Sequence, residues 1–334
     1  MVVLRQAKNS DLNSLIELSK SASLGVVNFP KDKDALAEKI KKSEESFNKK
    51  VIYPGDELYL FVLEDQESGQ VVGVSSIKAL SPFEYPTSYF RIENERIKEG
   101  VYPSVKEIKT LNAKSDVLPA TELCSLFLHP TLRHEGGGRL LSLGRLIYIA
   151  NHPERFSNTI FADLRGVILK DETSPFWDAI GKFFSPVSFK ELNDLYLKNP
   201  EGLNSILPKY PIYIPLLSPS ARKSIGQPHK RSVGALKFLE EEGFLKTPYI
   251  HPMDGGPRAE GSLKNIRAIQ ESETTTIKRI VIKKREKMEI IATTSSPFRA
   301  CLGHVLEKGI ISTRVATKLE LQEGDLCRYI KKKK

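Results

Sequence analysis

Five residues in one short stretch carry the clearest chemical signal. Arg133, Gly136 and Gly138 fall in "LRHEGGGRLLSLGRL" (132–146) with the spacing R-x-x-G-x-G; Gly137 lies between the outer glycines and Arg139 follows directly. An apolar run, "ELCSLFL" (Glu122 to Leu128), precedes them, and a helical pattern follows over 136–150. Glycine costs about 1 kcal/mol relative to alanine inside a helix, so three in a row at a helix entrance need a reason. A loop turning into a helix presents unpaired N–H groups and the positive end of the helix dipole. Without side chains at 136–138 a pyrophosphate can lie against that backbone, and Arg133 and Arg139 can add charge-assisted contacts. The plain alternative, a flexible loop, is outweighed by the strand-before, helix-after context.

A second candidate stands far off in the chain. His229, in "GQPHKR", lies between Gly/Pro turn residues and a helix start near Ser232, so a loop presents its imidazole. An unperturbed imidazole titrates near 6.5, suited to proton exchange at neutral pH. The competing reading is a surface histidine beside Lys230 and Arg231.

The elements that must position these groups follow from periodicity and punctuation. "VVLRQ" reads as a strand, and Asn9, Ser10 or Asp11 can cap a helix through Leu12, Leu15, Ile16 and Leu18. "ALAEKIKKSEESF" is a more charged helix. "ELYLFVLED" and "GQVVGVSSIKAL" form a hairpin. Residues 81 to 118 read as irregular, apart from a strand at "SYFRI". After the strand that starts at Glu122 and the glycine-led helix, "TIFADLRGVI" is strand-like, and "SPFWDAIGKFF" is a helix with Ser174 as cap and Pro175 in its first turn. "RSVGALKFLEEEGF" is a helix closed by Gly243. From about Thr274, β-branched and basic residues dominate, with an "EGD" turn expected between two short strands near the end. The expected organisation is therefore a main α/β domain over 1–273 and a small β-rich domain with a basic tail over 274–334.

Composition narrows the classes. The 334-residue chain is 40% hydrophobic and 28% charged, an ordinary globular balance, with a net charge of +10. The excess positive charge is read as a solvated surface with a basic tail, because no helix-turn-helix, zinc-finger or aromatic RNA-binding motif accompanies it. No apolar run reaches membrane-span length, and the start lacks a signal or transit pattern. Three scattered cysteines, Cys124, Cys301 and Cys327, argue against a disulfide framework. A cytoplasmic protein is expected. His129 and His134 lack metal-ligand spacing, so no metal is expected.

The glycine stretch has no G-K-[ST] and no acidic partner at dinucleotide distance, and it follows a hairpin instead of opening a domain. A ligand with a pyrophosphate and an extended arm fits better, with coenzyme A the leading candidate. Strand, helix, helix, hairpin, strand, then R-x-x-G-x-G opening a helix resembles the GNAT acyl-CoA N-acyltransferase superfamily. "ELCSLFL", "RGV" (165–167), "SPFW" (174–177), "IGQPH" (225–229), "EEGF" (241–244) and "DGGP" (254–257) resemble bacterial arginine N-succinyltransferase, in that family's order. The basic C-terminal part resembles it only loosely, through "LELQEGDLCR".

The resemblance implies an α/β fold with a mixed, largely antiparallel sheet flanked by helices. It implies transfer of succinyl from succinyl-CoA, as co-substrate and not a tightly bound cofactor, to the α-amine of L-arginine, in arginine catabolism. Attack is direct, in a ternary complex, so no nucleophile motif is required. His229 matches the family's catalytic histidine, Leu126 a position contacting succinyl-CoA, and Glu122 a place where many superfamily members carry a base; an edge-strand surface carboxylate is the alternative for Glu122. A succinyl carboxylate asks for Arg91 or Arg165, and a guanidinium for Asp163, which can instead pair with Arg165. Trp177 reads as a packing anchor. A homo-oligomer or pairing with a related subunit is implied. His129 where an acidic residue is usual, and the three adjacent glycines, depart from the pattern. Another acyl donor or basic amino acid, or a non-catalytic basic binding module, stays open.

Overall fold

A computed structural model describes residues 2–21, 29–83, 87–97, 107–115, 117–130, 136–282, 289–306 and 309–331. The chain opens with β1 (Val2–Gln6), α1 (Leu12–Lys20) and α2 (Lys33–Asn48), then the hairpin β2 (Leu58–Asp65) and β3 (Val71–Ser81). Next come β4 (Tyr89–Arg96), β5 (Glu107–Lys114), β6 (Ala120–Leu128), α3 (Gly137–Asn151) and β7 (Thr159–Asp163). Short elements follow: α4 (Pro175–Ala179), α5 (Phe189–Lys198), α6 (Gly202–Ser205), β8 (Ile212–Tyr213) and α7 (Pro219–Ser224). Then come α8 (Val233–Glu241), β9 (Leu245–Ile250), β10 (Pro257–Ser262) and α9 (Arg267–Gln270). The chain closes with β11 (Glu273–Thr276), β12 (Arg279–Val281), β13 (Glu289–Thr293), β14 (Arg299–Gly303), β15 (Ile310–Ser312), α10 (Thr313–Leu319) and β16 (Leu326–Ile330).

One sheet, ordered β11-β16-β13-β14-β1-β2-β3-β6-β7-β10-β9-β4-β5-β8, runs through the molecule. Its pairings are antiparallel except for β6 with β7. β2 is a central strand, and its apolar run divides by the two-residue period of a strand. Tyr59, Phe61 and Leu63 join the core beneath α3, while Leu60 and Val62 join the core beneath α1 and α2. α2 is started by Asp32, whose side chain accepts from the Ala35 N–H, and it buries Leu36, Ile40 and Phe47. α3 is apolar on nearly every side because it packs between the sheet and later elements: Leu140, Leu143, Leu146, Ile147 and Ile149 are all buried. A Cβ at Gly144 would stand 2.0 Å from Leu4 Cδ2, so this glycine lets α3 lie against β1.

β5 occupies part of the stretch read as irregular. Its side chains alternate poorly, and it is held by pairing with β4 and β8 at one end of the sheet. The C-terminal region is β-rich, with its own core around Ile291, Cys301, Val315, Leu319 and Cys327. It extends the main sheet, because β14 pairs with β1 at Leu4↔Ala300. The segment before the "EGD" turn is a helix and not a strand: Ser312 caps α10 by accepting from the Val315 N–H, and Glu320 ends it in the left-handed region.

Candidate active site

The site begins where two strands part. β6 and β7 pair in parallel at Thr121↔Ile160 and Glu122↔Phe161; from Leu123 onward no described strand pairs with that edge of β6. β6 is also bulged against β3, with a register shift between Val74 and Ser76. Opposite the shift stands Ser125 at φ 53°, a left-handed conformation that costs a non-glycine residue about 1–2 kcal/mol. Leu126 follows it, half-buried against the core beneath α3.

At the far end of β6 the three glycines differ in purpose. Gly136 is the N-cap of α3 at φ 79°, where a side chain is strained. Gly137 lies against the sheet: a Cβ there would sit 3.1 Å from Leu63 Cδ2 and 3.3 Å from Leu128 Cδ1. Among the described residues, a Cβ added at Gly138 would meet only Leu128 Cδ2, at an ordinary 3.9 Å. Backbone conformation therefore accounts for Gly136 and packing for Gly137, and neither accounts for Gly138. Arg139 is half-buried on α3; burial and the neighbouring Arg267 lower its pKa, opposed by Glu242 and Glu241. Arg133 lies outside the described residues.

A cavity of about 560 Å³ opens where the strands separate. Glu122, Asp163 and Arg165, gathered from β6 and the end of β7, line it, together with Lys39, Lys78, Tyr89, Tyr196 and His251. Glu122 is buried, and its Oε2 accepts from Lys78 Nζ at 2.9 Å and from Ser81 Oγ at 2.7 Å. Lys78 stands directly across from it on β3. Burial opposes the Lys78 ammonium, but the Glu122 carboxylate outweighs it and holds the pKa above the usual lysine value. Lys39 reaches in from α2 and donates to Ser125 Oγ at 2.8 Å. Burial, aided by the charge of Lys78, lowers Lys39 to about 8.

Asp163 pairs with Arg258. Arg258 Nε and Nη2 reach its carboxylate at 2.8 and 3.1 Å, and the Tyr89 hydroxyl donates to it at 2.9 Å. The guanidinium, 1% exposed, also bonds the Tyr89 oxygen and lies between the Tyr89 and Phe161 rings. Burial raises the Asp163 pKa, but Arg258 outweighs it, so the carboxyl stays below its ordinary value. Arg165 projects just beyond β7; burial lowers its pKa, with Asp254 opposing and Arg231 reinforcing.

Two predicted residues stand elsewhere. Arg91, on β4, is not in the cavity wall; it pairs with Glu93 at 3.6 Å and lies over the Tyr249 ring. His229 is buried behind Arg165, whose carbonyl accepts its backbone N–H at 2.7 Å. Its Nδ1 accepts from the Arg231 N–H at 3.1 Å, which leaves Nε2 to carry the proton of the neutral ring. Burial, with the charges of Arg165, Arg231 and Lys230, pulls its pKa down to about 4.

Sequence reasoning missed Lys39, Lys78, Tyr89, His251 and Arg258. Lys39 sat in a helix read only as a more charged one, with no site residue on it. His251 lay in a turn cluster, and its ring packs edge-on to Tyr89 and Tyr196 at 6.3 and 5.8 Å. Trp177 is a packing anchor: it is 1% exposed, with Nε1 donating to the Val187 carbonyl.

Comparison with known proteins places this geometry. Residues 2–268 match the family model described as arginine N-succinyltransferase beta subunit. The arginine N-succinyltransferase of Photorhabdus laumondii is 32% identical over 99% of this chain and 98% of its own length. The arginine N-succinyltransferase subunit alpha of Pseudomonas aeruginosa is 36% identical over 83% of this chain and 82% of its own. The solved structure of arginine/ornithine succinyltransferase subunit AI from Pseudomonas aeruginosa superposes with a TM-score of 0.89 at 33% identity, covering 99% of this chain and 98% of that one. The mixed, largely antiparallel sheet flanked by helices is thus that of an acyl-CoA N-acyltransferase, and the chain belongs to the arginine N-succinyltransferase family.

Proposed function

We propose that the protein transfers the succinyl group of succinyl-CoA to the α-amine of L-arginine, in arginine catabolism. One observation carries the reading: β6 joins the glycine-led start of α3 to the cavity, and its β7-facing edge opens immediately after Glu122. A donor with its pyrophosphate at Gly136–Gly138 and its arm along that edge delivers a thioester to the cavity. Leu126 and Arg139 belong to the donor half, and Arg133, outside the described residues, is assigned to it from the sequence motif. The amine attacks the thioester carbon; the C–N bond forms, the C–S bond breaks, and the proton leaving the amine balances the departing thiolate.

The acceptor half is assigned to the cavity. Glu122 receives the amine as a base or as a counter-charge. Asp163 has its charge met by Arg258 and loses the reason for a guanidinium role, while Arg165 suits the amino-acid carboxylate. Arg91, away from the cavity, loses the reason for a substrate role. His229 keeps its proton-transfer assignment as a neutral ring behind Arg165. Three free, buried cysteines fit a reducing compartment such as the cytoplasm. Because relatives carry the names of alpha and beta subunits, we assign the working form to a homo-oligomer or to a pair of related chains.

The test is thiol release from succinyl-CoA with L-arginine, beside acetyl-CoA and L-ornithine as substitutes, with mass analysis of the acylated amine. Release that needs both succinyl-CoA and arginine supports the assignment, and its loss in His229→Ala supports the histidine's role. Release only with a substitute overturns the substrate assignment. Absence of release with every pair, from folded protein, overturns the reading for the chain acting alone.

A further inference from the structure

Arg145, on α3, departs from a rule that other enclosed arginines keep. Arg5 faces Asp11 at 2.8 Å, Arg258 faces Asp163 at 2.8 Å, and Arg267 faces Glu242 at 2.6 Å. Arg145 is 4% exposed, yet among the described residues no carboxylate pairs with it and its Nε meets no acceptor. Its hydrogen bonds there run from Nη1, shared between the Ser76 carbonyl at 3.5 Å and the Cys124 carbonyl at 3.4 Å. Burying a guanidinium without an anion opposes folding, and an apolar side chain in its place would relieve that cost. Burial lowers its pKa to about 10, so the charge is still held at neutral pH.

The two carbonyls show where that charge is placed. Ser76 and Cys124 stand opposite each other at the edge of the register shift between β3 and β6. Val74 to Ser76 is two steps along β3, while their partners Phe127 to Cys124 span three along β6. β6 therefore carries one extra residue here, and Ser125 follows Cys124 at φ 53°. A bulge interrupts the ladder's own hydrogen bonds, and Arg145 supplies a donor to both strands from the α3 side. On the reading above, the donor arm follows the β7-facing edge of β6 past this bulge and brings its thioester to the cavity. We propose that Arg145 is a positioning residue for acyl transfer: it fixes the Cys124–Ser125 peptide at the bulge and holds a positive charge behind β6, where the thioester reacts. As the amine's electron pair forms the C–N bond, negative charge passes to the thioester oxygen. As the C–S bond breaks, it passes to sulfur, which the amine's proton neutralises. Arg145 forms and breaks no bond in this sequence. A fixed cation in a water-poor region stabilises such passing charge more than one in water does.

The inference rests on the proposed acyl-CoA reading, so the experiment separates the two. The full chain, Arg145→Met and Arg145→Lys are compared by urea denaturation, by calorimetric binding of succinyl-CoA without acceptor, and by thiol release with arginine. Arg145→Met is expected to be at least as stable as the unaltered chain. It should bind succinyl-CoA within about threefold of normal and lose at least about a hundredfold in kcat. Arg145→Lys keeps a charge but not the reach across both carbonyls, so its kcat should fall between the two with donor binding kept. A kcat loss under about threefold in Arg145→Met overturns the proposal. So does a loss of stability that tracks the loss of kcat through both variants, which would make Arg145 a packing residue. Should Arg145→Met not fold, Arg145→Lys decides: lowered kcat with normal melting and donor binding supports the role, and any other combination overturns it. Release only with a substitute acyl donor or amine overturns the substrate assignment, and the variants are then compared on that pair. No release from the unaltered chain with any pair overturns the reading and the proposal with it, whereas release that both variants leave unchanged overturns the proposal alone.

Discussion

Asp163 and Arg258 face each other directly across β7 and β10, and the guanidinium bonds both carboxylate oxygens. Tyr89 and Phe161 enclose the guanidinium from either side, with ring centroids 3.9 and 3.8 Å from its central carbon. The pair fixes one wall of the cavity, and its charge is spent there. Removing one partner of such a buried pair leaves the other uncompensated, which typically costs about 3–5 kcal/mol. Arg258→Met is therefore expected to lower stability by about that amount, read by urea denaturation. Arg258→Lys keeps the charge but loses the two-pronged contact and the stacking, so it should fall between. A loss below about 1 kcal/mol in Arg258→Met would show that the pair does not brace the wall.

Glu122 is expected to matter for the reaction more than for the fold. Its carboxylate accepts from Lys78 and Ser81, and the amide oxygen of Glu122→Gln can keep one of these bonds. The amide can neither take a proton nor balance an ammonium. We expect kcat/KM for arginine to fall at least about a hundredfold, with the circular dichroism spectrum unchanged. A fall under threefold would return Glu122 to a structural role.

The sequence displayed what depends on neighbours in the chain. The strand, glycines and helix around Gly136 could be read because a strand period, a helix period and a turn signal lie within 30 residues of one another. Ser174 could be read as a cap because a cap acts on its own helix, and its side chain indeed accepts from the Trp177 N–H. α10 was misread because Val315, Ala316 and Leu319 fit a short strand nearly as well as one buried helix face. The cavity is different in kind. Lys39, Lys78, Glu122 and His251 meet only because α2, β3, β6 and the turn after β9 converge. Local periodicity says which face of an element is buried, not which other face it meets. Hence Glu122, Asp163 and Arg165 were found as types, while their partners Lys78 and Arg258 were not.

The histidine predicts a pH signature. His229 titrates near 4 in the folded protein against about 6.5 unfolded, because burial and nearby cations disfavour its charged form. Its folded pKa is depressed, so the unfolded state binds the proton first as pH falls. The stability from this group is complete above about pH 6.5 and is lost progressively as the pH drops toward 4. Chemical denaturation between pH 4 and 8 should show that slope, and His229→Gln should flatten it. The free enzyme's kcat/KM should also lack an ascending limb near 6.5 due to this residue. A His229-dependent limb there would show an imidazole in ordinary contact with solvent.

The glycines allow the ligand-binding reading to be separated from packing. Gly136→Ala places a side chain at φ 79° and is expected to cost about 1 kcal/mol of stability whether or not a ligand binds. Gly138 is not at positive φ, and among the described residues a Cβ there meets only Leu128 at 3.9 Å, so Gly138→Ala should fold with near-normal stability. Alanine is also the better helix former, which offsets any small clash. If bare backbone at 138 admits a pyrophosphate, the added methyl stands in its path, and coenzyme A affinity should drop at least about tenfold by calorimetry. The same variant binding coenzyme A as tightly as the unaltered chain would mean that the phosphates lie elsewhere. The combination expected, normal melting with weakened binding, is one that neither a packing glycine nor a conformational glycine produces.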